Sequence, residues 1–503
     1  MQNLKDFLSK NWLFIVLFVV TTLFFIYQKV NVLSWDFGTY VMNGKYWFAN
    51  GFYFEPFRPP LASFLLGVLG FIFSFPVGEV LFIILVSALF FYSCLRLSKN
   101  LHFNPVLFIL IFLTPFCLFY SLVNGTELLS VSLLMLGISF ILENNVFSGI
   151  FIALSGLSRY TFLVFGVLLL FHKSFKKIIS SIGLFVLTLI PWFVYNFYKF
   201  GNFFTSIADQ YAQNVLFRME MIQAPNILHF LEIQSFLFPF LFVGLFVLFK
   251  TIFKKDVSNK KVNILMLFIF VFGIFNYFTT PFKEARYLFI LTLPLAYFTY
   301  LGFDYFLSKH KKVNGFIQKH FSVLAIIFLG VNLIIPVYAS QPDGFKESYI
   351  SLSPQLLEKD VFSCQTVSNQ WVLLDYLGQP SEPFGIQHLE YYCDTNKVLF
   401  LYKWNKDVQD TLKIIKENPQ KYPIILENER FLVVGSVDFC QKAGVYDLPF
   451  IESSSINAKR LYNKEINTNP CTVLFFNYPF LEKTCNFLNY GEYKLSENRL
   501  IVP

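Results

Sequence analysis

The sequence predicts a polytopic α-helical membrane protein that carries a small α/β domain at its C-terminal end. Three observations predict it. Of 503 residues, 55% are hydrophobic and 14% are charged, whereas soluble chains carry about 25% charge. The apolar residues gather in long uncharged runs, as membrane-crossing helices require. After residue 338 the composition turns polar and breaks into short strand-like and helix-like stretches. The expected domains are therefore 1–338 in the membrane and 339–503 outside it.

Apolar runs near 11–30, 79–97, 104–121, 126–142, 147–158, 159–171, 178–197, 228–250, 262–279, 286–306 and 320–338 suggest about eleven spans. The runs 147–158 and 159–171 are too short to cross singly at about 1.5 Å per residue. They form either one bent hairpin or one long helix. Charge favours the hairpin. With eleven spans, the clusters Lys5/Lys10, Arg96/Lys99, Lys173/Lys176/Lys177, Lys250–Lys261 and Lys309–Lys319 all fall on one side, as the positive-inside rule asks. That side is the cytoplasm, with the N-terminus on it, and the C-terminal domain lies across the cell membrane. No small-residue cleavage site follows the first run, so it reads as a retained span. The first outer loop is 31–78. Within it, "PPLASFLLGVLGFIFSF" (59–75) reads as a helix lying in the interface.

The C-terminal domain shows its elements locally. "YPIILENERFLVVGSV" reads as two strands around a polar turn. "DVQDTLKIIKENP" reads as an amphipathic helix ended before Pro419. Five of seven cysteines, Cys364, Cys393, Cys440, Cys471 and Cys485, lie here at no metal-binding spacing, so one or two disulfides with one cysteine left over are expected. The net charge of +8 comes from lysines in short loops and points to membrane sidedness rather than to nucleic acid.

The chemistry-bearing residues gather at predicted outer loops. Asp36 and Glu55 are the only acids between residues 31 and 78. A carboxylate at a membrane boundary is costly unless solvated, paired or functional. Asp36 is either a helix cap within an ordinary aromatic belt or a functional acid. A second cluster, Lys283, Glu284, Arg286 and Tyr287, sits in "TTPFKEARYLFILTLP" (279–294). Eight arginines stand against 32 lysines in this chain, so a boundary arginine suggests a use for its planar fork. Lys283 and Arg286 could grip a phosphate, or form an ion cluster neutralised by Glu284. Glu127 is either a partner of the Asp36 loop or a helix N-terminal acid. Arg159, at the turn of the short hairpin, either binds a phosphate or snorkels to water. The Asn124-Gly125-Thr126 sequon hugs the membrane.

These residues resemble the GT-C superfamily of integral-membrane glycosyltransferases, which includes protein O-mannosyltransferases, aminoarabinose transferases and lipid-linked mannosyltransferases. Asp36 matches the essential acid that the superfamily carries just after its first span. "RPPL" (58–61), "GLSRYTFLVFG" (156–166), "PWFVYNFYKFGNFF" (191–204) and "FKEARYLFILTLP" (282–294) are similar to its later elements, over roughly residues 1–340. Phe37 stands where many members have a second acid, and residues 339–503 match no known module and lack a Trp-Trp-Asp motif. The resemblance implies transfer of a sugar, mannose or another hexose or pentose, from a polyprenyl- or dolichyl-phosphate donor. The acceptor would be a glycan, lipid or protein, and the anomeric carbon would invert. Asp36 would be the base. Lys283 and Arg286 would hold the phosphate, with Arg58 and Arg159 as further cations, Tyr287 on phosphate or sugar, Glu284 orienting its neighbours, and Glu55 and Glu127 nearby. The scheme requires no cofactor or metal. The alternatives are an envelope-polysaccharide polymerase or ligase, whose long outer loop rich in Arg and His is not seen here although Arg218 in "NVLFRMEM" leaves room for it, or a lipid-linked-glycan flippase or transporter. The latter would place charges at mid-membrane depth in two related halves. So many spans exceed what anchoring alone needs.

Overall fold

The computed structural model describes residues 2–440, except 52–53, 202, 212–213, 215–222, 254–259, 343, 380, 385–388, 390–396, 437 and 439. Arg218, Cys393, Cys471 and Cys485 lie outside the described residues.

Each of the eleven apolar runs lands on a helical segment. Among the described residues, seven helices are long and apolar enough to cross a membrane, at Asn11–Asn31, Phe75–Leu101, Phe175–Phe200, Leu228–Thr251, Lys260–Thr279, Ala285–Lys309 and Lys311–Ala339. An eighth candidate is broken into Pro105–Phe112 and Pro115–Val123, bent by 76°. The break falls between Leu113, which closes one helix, and Thr114, which caps the next with its hydroxyl accepting from the Cys117 amide. The remaining three runs form the shorter apolar segments Glu127–Leu142, Ser148–Ser158 and the 3₁₀ segment Tyr160–Phe171.

Element names follow chain order. The first eight helices are α1 (Gln2–Asn31), α2 (Trp35–Phe48), α3 (Pro60–Phe73), α4 (Phe75–Leu101), α5 (Pro105–Phe112), α6 (Pro115–Val123), α7 (Glu127–Leu142) and α8 (Ser148–Ser158). After the 3₁₀ segment come α9 (Phe175–Phe200), α10 (Thr205–Tyr211), α11 (Leu228–Gln234), α12 (Phe238–Phe253), α13 (Lys260–Thr279), α14 (Thr292–Lys309) and α15 (Lys311–Ala339).

The short hairpin is real. Arg159 leaves α8 in an extended conformation, the 3₁₀ segment doubles back, and Ser148 at one end meets His172 at the other, Oγ to Nε2, at 2.8 Å. Gly156 allows the doubling, because a Cβ there would lie 2.3 Å from Leu163 Cδ2. The segment expected in the interface is α3, which leaves Phe64, Phe71, Ile72 and Phe73 exposed and buries its small residues against α2. Basic residues converge on the end of the bundle away from Asp36. Arg96 pairs with Glu143, Lys177 donates to the Asn144 carbonyl at 2.6 Å, and Lys261 to that of Ile141 at 3.1 Å. Elsewhere α12 and α14 touch backbone to backbone. A Cβ on Gly244 would sit 1.7 Å from the Phe298 carbonyl oxygen, and one on Gly302 1.9 Å from that of Phe240.

Beyond α15 the chain forms α16 (Gly344–Glu358), α17 (Trp371–Tyr376) and α18 (Gln409–Glu417) around a five-stranded sheet. Its strands are β1 (Thr366–Ser368), β2 (Ser381–Pro383), β3 (Val398–Tyr402), β4 (Ile424–Glu427) and β5 (Phe431–Val434), in the order β2-β1-β3-β5-β4. β1 runs parallel to β2 and β3, while β5 is antiparallel to β3 and β4. Side chains alternate as strand geometry requires. Val398, Phe400, Phe431 and Val433 face α16, and Leu399, Leu401, Leu432 and Val434 face α18. The expected strand pair is β4–β5, its turn held by Asn428 Oδ1, which accepts from the Arg430 and Phe431 amides. The expected amphipathic helix is α18, and Cys364 is bonded to Cys440.

This α/β region sits on the bundle end that carries Asp36. Lys346 Nζ donates to the Val30 carbonyl at 3.2 Å, and α17 lies along α2. Within that contact Asp375 is buried, with one carboxyl oxygen unpartnered. Burial lifts its carboxyl to about 7, opposed only by Lys45 on α2. An unfolded Asp titrates near 4, so between about pH 4 and 7 only the folded state holds this proton, and stability falls as pH rises through that window. Asp375→Asn should melt above wild type at pH 8, with the difference shrinking toward pH 4. A thermal-melt series across that range checks this, and parallel curves would refute it.

Candidate active site

The site is built where three distant segments meet. α1 stops at Asn31, and α2 begins under a cap supplied by Ser34, whose hydroxyl accepts from the Phe37 amide at 3.5 Å. Asp36 is therefore a first-turn acid of α2 and not its cap. The same hydroxyl donates to Asn124 Oδ1 at 3.0 Å, tying α2 to the sequon loop. Gly125, in that loop at φ +98°, lets the backbone pass Phe37 and Tyr40.

Arg58 enters from the loop before α3. Pro59 and Pro60 open that helix with their fixed φ, which sets Arg58 at its N-terminal edge. Its Nη1 lies 2.8 Å from Asp36 Oδ1, and its Nε donates to Glu55 Oε2 at 2.7 Å. Glu55 is held in turn by Asn43, which exchanges two hydrogen bonds with the Glu55 backbone at 2.8 and 3.0 Å. Arg286 comes from the 3₁₀ turn Ala285–Leu291 that leads into α14, and its Nη1 donates to Asp36 Oδ2. Glu284 is ion-paired with the Nε edge of Arg286. Both oxygens of Asp36 are thus engaged by guanidinium groups, one of them 250 residues away in sequence. Burial by itself would raise the Asp36 carboxyl. The Arg58 and Arg286 charges outweigh it and hold the group well below the usual carboxylate range.

Beside this cluster is a small cavity lined by Glu127, Arg159, Thr161, Asn276, Arg286 and Tyr287, among others. Glu127 takes the second of the two roles left open for it, that of a helix N-terminal acid, and its partner is Arg159 rather than the Asp36 loop. It stands in the first turn of α7, accepts from the Thr126 amide at 3.2 Å, and is ion-paired with Arg159. Tyr287 presents its ring to the Arg286 guanidinium at 5.5 Å. Asp36, Arg58, Glu55, Arg286, Glu284, Tyr287, Arg159 and Glu127 therefore gather at one end of the bundle.

Lys283 does not join them. Its ammonium turns to the C-terminal end of α13 and donates to the carbonyls of Tyr277 and Phe278, each at 2.9 Å, and of Thr280. The last carbonyls of a helix lack intrahelical partners and carry its negative dipole end, which attracts a cation. The position expected to grip an anion instead closes a helix, and burial pulls its ammonium down to about 8.

Tyr40 and Asn43 belong to the site's frame and were not picked out from the sequence. Their signal was spacing, four and seven residues after Asp36 on one helical face. Tyr40 lies 5.8 Å beneath the Arg58 guanidinium. Asn276 lines the cavity from α13, with no sequence signal beyond its being polar in an apolar run.

Fold and site together define a polytopic helical membrane protein with a cluster of paired charges at one end of its bundle. The chain is similar to the crystal structure of ArnT from Cupriavidus metallidurans in the apo state, with a TM-score of 0.56 and 12% identity over 85% of this chain and 98% of that one. No family model matches the chain, and neither does any curated protein.

Lys283→Ala should lower stability by about 1–3 kcal/mol, because it strips partners from buried carbonyls. Thermal melting in detergent would show this as a lowered Tm. An unchanged Tm would place the ammonium elsewhere.

Proposed function

We propose that this protein moves a sugar from a polyprenyl-phosphate donor, of undecaprenyl or dolichyl type, to a hydroxyl of a glycan, lipid or protein acceptor outside the cytoplasm. The observation that carries this is the Asp36 carboxylate set between Arg58 and Arg286 beside a cavity at one end of a membrane bundle. The ArnT-like fold supports a lipid-linked donor, and the basic residues at the opposite end support an extracytoplasmic location for the site.

The chemistry follows from the groups present. The acceptor oxygen attacks the anomeric carbon in line, the bond from that carbon to the phosphate oxygen breaks, and the configuration inverts. The proton of the acceptor hydroxyl goes to Asp36. The lipid phosphate leaves with the bonding pair, and guanidinium groups stabilise its charge. Arg286 and Arg58 are the cations nearest to the base, and Arg159 lines the same cavity as Arg286. Since these guanidiniums are already paired with carboxylates, an entering phosphate takes over part of that pairing. A carboxylate released from a guanidinium is a stronger base, so donor binding prepares Asp36 to act. The charges of the candidate site gather at one end of the bundle rather than at its middle, which favours a transferase over a flippase. The scheme requires no metal or cofactor.

Two outcomes test this. Asp36→Asn leaves Arg58 with Glu55 and Arg286 with Glu284, so the protein should fold while transfer from a panel of polyprenyl-phosphate hexoses and pentoses falls roughly 10²-fold or more. Full retained transfer by the purified variant would remove the base. Arg286→Ala should weaken undecaprenyl-phosphate binding in nanodiscs by about tenfold or more, the worth of one charged hydrogen bond. Equal affinity would take Arg286 away from the phosphate.

A further inference from the structure

The residues on either side of Asp36 are held by groups outside α2. Trp35 meets Trp371 edge to face, with ring centroids 5.2 Å apart. Phe37 is fully buried, and the Lys29 ammonium lies 4.0 Å over its ring. That ammonium also lies 4.5 Å from the Tyr376 ring centroid and 3.3 Å from Glu79 Oε2. The Tyr376 hydroxyl donates to the same Glu79 oxygen at 2.7 Å. Two helical turns beyond Trp35, buried Met42 and Val372 share a small core that Trp35, Trp371 and Tyr376 surround. Lys29 lies in the last turn of α1, Glu79 in the second turn of α4, and Trp371 and Tyr376 bound α17 in the α/β region.

We infer that α17 is a positioning device: the C-terminal α/β region fixes the rotation of α2, and so the direction in which Asp36 presents its carboxylate, through Trp371 and Tyr376. The physical basis is local. The first turn of a helix lacks its full set of hydrogen bonds and frays first. Here Ser34 supplies one cap contact, the Arg58 and Arg286 ion pairs hold the Asp36 carboxylate from the bundle's side, and the ring contacts at positions 35 and 37 hold the turn on either side of it. Successive residues on a helix point about 100° apart. A grip on Trp35 and Phe37 therefore leaves Asp36 little freedom to turn. The Tyr376 hydroxyl adds a link that packing alone would not, because it ties this grip to the buried Lys29–Glu79 pair. The inference rests on the proposal that Asp36 is the base.

The test uses the full chain in nanodiscs, with Trp371→Ala, Tyr376→Phe, the conservative Trp371→Phe, and Lys413→Ala at an exposed site on α18 as a control. Hydrogen exchange of the α2 amides from residue 37 to 42 should speed up at least tenfold in Trp371→Ala and several-fold in Tyr376→Phe. Exchange in β3 and β5 should stay unchanged. With the donor on which the wild type is active, kcat should fall at least tenfold in Trp371→Ala while the donor KM changes less than twofold. Trp371→Phe should recover most of the loss, and Lys413→Ala should show none. Unaltered α2 exchange in both α17 variants overturns the inference, as does a loss of kcat matched by the control. Absence of transfer in the wild type removes the functional proposal alone, and the exchange data then decide the positioning by themselves.

Discussion

Everything at the site depends on keeping Asp36 ionised where water is scarce. A carboxylate buried alone would take up a proton or shift the fold. This one is held by two guanidiniums, each braced by a second acid, Glu55 for Arg58 and Glu284 for Arg286. Such an arrangement works only if α2, the loop before α3 and the turn into α14 arrive at one point. The bundle is the means by which they do. Near the site the α8 hairpin turns back, and its turn carries Arg159.

Much of this was legible in the sequence, and the reasons are specific. Long apolar runs have few alternatives to helices, so every run found a helical segment. Five basic clusters constrained sidedness, and that constraint selected the hairpin over a single helix. Asp36 and Arg286 were visible because each is a charge at the edge of an apolar run, where charge is rare. Lys283 carried the same signal and served another purpose, because an ammonium near a helix end finds free carbonyls before it finds a ligand. Its neighbour three residues on reaches Asp36 instead. Position in the chain marked the cluster but not which cation faced the cavity. Tyr376 and Glu79 were not legible at all, since their contact joins residues 297 apart and depends on how the α/β region lies on the bundle.

The α/β region has its own cores on both faces of its sheet, yet its contact with the bundle concentrates on the helix that bears the acid. The Trp35–Trp371 ring contact and a small apolar core fall on one face of α2, beside the bond from Tyr376 to Glu79 of α4. That face is opposite in kind to the one that meets α3, where Gly44 and Gly67 bring two backbones together. One side of α2 is fitted by close backbone approach and the other by large rings.

The backbone contact between α12 and α14 makes the two halves of the cluster unequal. Gly244 and Gly302 leave no side-chain cushion that could deform, so α14, and with it the turn carrying Arg286, behaves as a fixed jaw. The opposing jaw is α2 with its preceding loop, held by caps, rings and a short polar contact to the sequon loop. In the transfer proposed above, the Arg286 side of the cluster would therefore keep a constant reference for the phosphate.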